Sequence, residues 1–194
     1  MKKPTEQQMP QLRAAFKQLN NIMLWQFRLG LGQFLTLPTP AGMIMVIEHT
    51  GRKSGLLRYV PVNYAPAPDN RSVYCLSGFG KSEWYRNLLH HPQTAVWIGN
   101  RRIYGRAETL DSLQHLSIYR QVLINSGFAT LAFEGFDPRT APESRIREMT
   151  EKAPLLRIVL NDEVTPNAPH PGDYAWVWSL AAVGLLALLL RRRK

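Results

Sequence analysis

Between Met43 and Tyr64 the chain reads as two apolar segments joined by a basic turn, Thr50-Gly51-Arg52-Lys53-Ser54-Gly55-Leu56-Leu57-Arg58. Both flanks are rich in β-branched and aromatic residues, so the stretch is expected to fold as strand, turn, strand. Gly51 and Gly55 supply the backbone freedom of a tight turn and allow a ligand to approach the main chain. Arg52, Lys53 and Arg58, with the Ser54 hydroxyl and the turn amides, form a compact site for an anion. A bare polar hairpin turn is the competing reading. An echo follows thirty residues on: Ser77-Gly78-Phe79-Gly80-Lys81-Ser82-Glu83-Trp84-Tyr85-Arg86-Asn87 is a glycine-bearing loop entering a helix, whose N-terminus also favours anions.

The remaining pattern extends this beginning into a small antiparallel barrel. Strands are expected over residues 43–50, 57–65, 73–77, 94–98, 101–108 and 155–164, the fourth and fifth joined at Gly99-Asn100. Helices are expected over 7–19, 22–35, 82–89, 111–125 (opened by Asp111 and Gln114) and 141–152. No G-x-G-x-x-G follows a strand, so a Rossmann sheet is unsupported. The fold class is therefore α+β, an antiparallel barrel with flanking helices and a C-terminal hydrophobic helix.

Charge narrows the partners. The formal net charge is +10, and the terminal Arg191-Arg192-Arg193-Lys194 holds four of these charges, leaving +6 elsewhere. That balance suits anionic ligands or an anionic surface, and without aromatic-basic interleaving it does not imply nucleic acid. The single cysteine, Cys75, excludes an intramolecular disulfide framework and reads as a buried, reduced thiol. The five histidines show no ligand spacing with it, so no metal is expected.

The T-G-R-K-S-G-x-x-R turn, the following Val60-Pro61-Val62, then Trp84-Tyr85-x-Asn87-Leu88 and the stop at His91-Pro92 together resemble the deazaflavin-dependent nitroreductase and quinone reductase family. The resemblance covers residues 43–108, and more weakly the order of elements to 164. It implies a split β-barrel oxidoreductase related to flavin-binding proteins. It also implies a cofactor, deazaflavin coenzyme F420 or alternatively FMN. Cofactor contacts then fall to Arg52, Lys53, Ser54, Arg58, Val60, Pro61, Val62, Ser77, Lys81, Trp84 and Asn87. The family pattern often has lysine where this chain has Gly78, and Lys81 is the candidate to replace it. The aromatic wall Phe128, Phe133 and Phe136 would line the substrate pocket. That segment lacks the tyrosines of nitroreductase-like relatives, which leaves Tyr119 as a possible proton donor, a core tyrosine being the alternative.

The C-terminal composition changes twice. Residues 165–173 hold three prolines and read as a linker; residues 175–190 carry no charge and end in the basic cluster. With Tyr174 this makes seventeen residues, the lower limit of a bilayer span, with Tyr174, Trp176 and Trp178 placed as an interfacial belt. The expectation is a membrane anchor, against a surface-docked helix or a processed tail. The positive-inside rule would put the barrel outside, whereas the lack of a secretion signal and the reduced cysteine put it in the cytoplasm, the reading adopted. The division expected is a helical segment at 1–40, the barrel at 41–164, a linker at 165–173 and an anchor at 174–194.

The function expected is hydride transfer from reduced deazaflavin to a lipophilic acceptor such as a quinone or nitro compound, with a homodimer as a possible assembly. The alternative is a non-catalytic barrel that binds a flavin, a tetrapyrrole or a lipid.

Overall fold

The computed structural model describes residues 9–78, 82–161 and 171–191. Its centre is a closed barrel of six antiparallel strands in the order β1-β2-β3-β6-β5-β4. The strands are β1 (Ile44–Thr50), β2 (Leu57–Pro66), β3 (Ser72–Leu76), β4 (Gln93–Ile98), β5 (Arg101–Thr109) and β6 (Leu155–Leu160). Around them lie α1 (Met9–Arg28), α2 (Gly32–Leu35), α3 (Glu83–His90), α4 (Leu116–Asn125), α5 (Phe128–Glu134), α6 (Glu143–Lys152) and α7 (Trp176–Arg191). The α+β barrel expected from the apolar alternation is thus the fold observed.

Side chains alternate across the barrel wall, as strand geometry requires. Met45 and Ile47 point inward with Val73, Cys75, Val96, Leu156 and Ile158, and close the interior. Ile44 and Val46 point outward and pack with Trp97 under Phe27 of α1. A further core joins Ala65 and Leu155 to Tyr119, Val122 and Leu123 of α4 and to Ile146 and Met149 of α6. The Cys75 thiol lies in the interior, where burial pushes its pKa up to about 12.

Several boundaries differ from expectation. Asn20 and Asn21 do not divide the first helix, because α1 runs through them to press Phe27 onto the barrel wall. Asp111 shapes a turn, accepting the Leu113 N–H at 2.9 Å, and α4 begins only at Leu116.

The membrane anchor is overturned. No helix among the described residues is long and apolar enough to cross a membrane. At about 1.5 Å per residue the 16 residues of α7 reach roughly 24 Å, short of a hydrocarbon core of about 30 Å. Tyr174 and Trp178 of the proposed belt are instead fastened to the C-terminal end of α1 and the residue after it. The Gly172 and Tyr174 N–H groups donate to the Phe27 and Arg28 carbonyls at 2.8 and 2.9 Å. The Trp178 indole N–H donates to the Leu29 carbonyl at 2.9 Å, and the Tyr174 and Trp25 rings stand 5.5 Å apart. The membrane as partner and the membrane-anchored localisation fall with the anchor. The basic end at 192–194 and most of the linker lie outside the described residues.

Candidate cofactor site at the basic turn

The basic turn closes on itself at one end of the barrel. Gly51 N–H donates to the Leu56 carbonyl, and Gly55 N–H to the Gly51 carbonyl, each at 2.8 Å. Gly55 takes φ +66°, and a side chain at Gly51 would strike Ser54 Oγ at 2.7 Å. Gly55 is therefore required by the turn itself, whereas a side chain at Gly51 would have to push the Ser54 hydroxyl and the Arg58 guanidinium aside. Lys53, Ser54 and Arg58 are exposed on it, with Arg58 Nη2 3.5 Å from Ser54 Oγ.

Arg52 is fixed from α3. Its main-chain N–H and its Nη1 both donate to Asn87 Oδ1, at 3.1 and 3.0 Å. Nη1 also donates to Glu83 Oε2 at 2.7 Å. The Arg52 hydrogen bond, chiefly, holds the Glu83 carboxyl below its ordinary range. The Asn87 amide is buried and braced on its other side, its Nδ2 lying 3.2 Å from His49 Nδ1. His49 was not singled out by sequence; its place two residues before the turn was the available signal.

The echo loop meets the turn through this same helix. Ser77 is fully buried, and its Oγ accepts the Ser82 N–H at 3.1 Å while bonding Ser82 Oγ at 2.9 Å, so it closes the entry to α3. Trp84 is half-buried against the barrel core and meets Tyr85 edge-on at 6.5 Å. Tyr85 is 6% exposed and part of that core. Lys81 lies outside the described residues.

Val60 and Val62 pack against the interior core, and Pro61 is buried in the wall opposite Val46. Their main chain has a further property. The bonds Gly51 N–H to Leu56 O and Tyr64 N–H to Met43 O put the even-numbered residues of β2 in bonding register with β1. Tyr59, Pro61 and Asn63 therefore aim their main chain away from β1. Pairing with β3 begins only at Tyr64, so among the described residues this edge has no ladder partner before that point. A proline can sit mid-strand there because its missing N–H faces the unpaired side.

The residues expected at the substrate pocket do not converge. Phe128 lines a cleft of about 440 Å³ with Pro38, Pro40, Ile124 and Leu131. Phe136 packs on the α4–α6 core beneath Arg145, and Phe133 is half-buried outside the cleft lining. The cleft adjoins Gly42, whereas the basic turn follows Thr50, so the length of β1, roughly 23 Å, separates them. Tyr119 is fully buried, its hydroxyl within 2.8 and 2.9 Å of the Met149 and Ala153 carbonyls. Burial raises its pKa. It stands in the core between α4 and α6, apart from the turn.

Comparison with known proteins follows the same residues. A family model described as F420H(2)-dependent quinone reductase matches residues 30–129, which include the basic turn, the β2 edge and α3. A protein of Mycobacterium tuberculosis named for F420H(2)-dependent quinone reduction is 35% identical over 88 residues, 44% of this chain and 69% of the relative. Among solved structures, an F420-H2 dependent reductase aligns with a TM-score of 0.39 at 21% identity, over 59% of this chain and 92% of that one. The haem storage protein HutZ of Vibrio cholerae aligns at 0.43 and 12% identity, over 62% of this chain and 82% of that one. With its model matched across more than half of the sequence, this chain belongs to the F420H(2)-dependent quinone reductase family.

Proposed function

We propose that the chain is an oxidoreductase that passes a hydride from reduced deazaflavin coenzyme F420 to a quinone or nitro compound, with the basic turn as the anchor for the cofactor's anionic tail. One observation carries the assignment of the anchor. Arg52, held by Asn87, already grips a carboxylate, that of the exposed Glu83, at 2.7 Å. A phosphate or a tail carboxylate asks for the same donor in the same place.

The surroundings fit such a group. A Cβ added at Gly55 or at Gly78 would meet no atom of the described residues within 4 Å, which leaves room above the main chain at both positions. Lys53 and Arg58 add charge beside Arg52, and Ser54 adds a hydroxyl. The unpaired edge of β2 offers the carbonyls of Tyr59 and Pro61 and the N–H of Asn63 to the polar edge of a flat ring. Ser77 closes the entry to α3 through Ser82, and Trp84 in the first turn of that helix packs on the barrel core. Asn87 has one amide N–H left after bracing Arg52 and His49.

Reduced deazaflavin, when bound, supplies the hydride. The chain's own part is to bind the tail, orient the ring on the β2 edge and keep the acceptor close. Tyr119 takes no part as a proton donor, because its hydroxyl is committed to main-chain carbonyls. Water protonates the reduced acceptor.

The test is titration of F420 and FMN side by side, followed by oxidation of reduced F420 in the presence of a short-chain quinone. Tighter binding of F420 with quinone-dependent oxidation is expected. Tighter binding of FMN would overturn the cofactor; binding without turnover would favour a carrier.

A further inference from the structure

We propose that His49 is a positioning residue of the anchor: its imidazole accepts the Asn87 amide at Nδ1 and so holds the Asn87 carbonyl against Arg52. The proposal rests on the reading of the basic turn as the anchor and extends it to a residue that touches no ligand.

The chain of contacts runs inward from the turn. Arg52 donates twice to Asn87 Oδ1, which spends both lone pairs of that oxygen and sets the orientation of the amide. The Asn87 NH₂ then faces His49 Nδ1 at 3.2 Å. An NH₂ group can only donate, so Nδ1 must be the unprotonated nitrogen and the ring proton sits on Nε2. Both side chains are 4% exposed, so water does not compete for these bonds. Burial, followed by the Arg58 charge across the strand pair, pulls the imidazole pKa down to about 4, which keeps Nδ1 an acceptor near neutral pH. Without that acceptor only the two Arg52 donors hold the amide, and the oxygen is pressed less firmly against the Arg52 main chain. His49 thereby ties β1 to α3 at the point where the turn leaves the barrel.

His49→Asn places an amide oxygen close to the position of Nδ1, whereas His49→Phe keeps a ring and removes the acceptor. Two readouts are taken: F420 affinity, and hydrogen exchange of the Arg52 and Tyr64 main-chain amides without cofactor. His49→Phe is expected to weaken F420 binding about fivefold to tenfold, the scale of one buried hydrogen bond. It should also speed exchange at Arg52 and leave Tyr64, at the far end of the same strand pair, unchanged. His49→Asn should restore both properties to near wild type. Wild-type affinity and Arg52 exchange in His49→Phe would overturn the proposal. If His49→Phe loosens Tyr64 as well, the decision falls to His49→Asn, and fast Arg52 exchange in that variant overturns it. The exchange readout needs no cofactor, so it stands even if the wild-type protein fails to bind F420, a result that would sink the assignment of the anchor instead.

Discussion

Two Arg–Glu pairs, each with one partner on or just beyond β1, do opposite things. Glu48 and Arg102 meet on the outer face of the barrel wall, their side chains 6% and 3% exposed. Arg102 Nε donates to Glu48 Oε2 at 2.9 Å, and its guanidinium also bonds Tyr104 while lying 4.4 Å from that ring's centroid. Four residues on, Arg52 reaches a Glu83 side chain that is 69% exposed. The buried pair is sealed, each charge satisfied by the other, and no ligand can enter between them. The exposed pair is weak, screened by solvent, and open to exchange of one carboxylate for another. The same chemistry is thus sealed from solvent at Glu48 and open to it at Arg52.

The largest effect should come from breaking the sealed pair. Arg102→Met strands the Glu48 carboxylate in the wall, and loss of one partner of a buried pair costs about 3–5 kcal/mol. Urea unfolding of Arg102→Met beside Glu48→Leu/Arg102→Met should show the double variant recovering much of that loss. No recovery would mean that the pair is less sealed than its exposure indicates.

The next effect comes from His49, which couples the exposed region to pH. Its folded pKa of about 4 lies below the ordinary 6.5, so above pH 6.5 the ring is neutral in both states. Between pH 6.5 and 4 the unfolded chain takes up a proton that the folded chain refuses. Stability is therefore complete above 6.5 and falls on acidification, by at most about 3 kcal/mol once the folded pKa is passed. His49→Asn should flatten this slope in unfolding measured across that window. An unchanged slope would assign the acid sensitivity to other groups.

These contrasts also explain what could be read in advance. The turn was legible because its cations and glycines are adjacent in sequence and anion binding is local chemistry. The barrel was legible from strand-length apolar runs and the Gly99-Asn100 turn. Glu48 and Arg102 gave no signal, since 54 positions separate them and a charge on an outward strand position reads as solvated. The Pro61 edge was readable, because a mid-strand proline needs an unpaired side, but only the pairing showed how far that edge extends. The tail misled because an uncharged run suggests lipid, whereas α7 is short and the bonds of Gly172, Tyr174 and Trp178 to the end of α1 and the residue after it are invisible to composition.

The smallest effect on stability belongs to the exposed pair. Glu83→Gln should leave the melting temperature almost unchanged and strengthen F420 binding, because it removes the carboxylate that occupies Arg52. Weaker binding would mean that Glu83 helps to hold the ligand rather than giving way to it.

The central claim is that the basic turn binds the cofactor while adding little to the fold. Its most direct test is F420 affinity and melting temperature measured together for Arg52→Ala/Lys53→Ala, with Arg102→Met as the reference for a purely structural lesion. Charge-assisted contacts to a phosphate or carboxylate are worth about 1.5–3 kcal/mol each, so the turn variant should lose at least about tenfold in affinity. Its melting temperature should stay close to wild type, while that of Arg102→Met falls well below it. Wild-type affinity in Arg52→Ala/Lys53→Ala, or a loss of binding no greater than its loss of folded protein, would contradict the account.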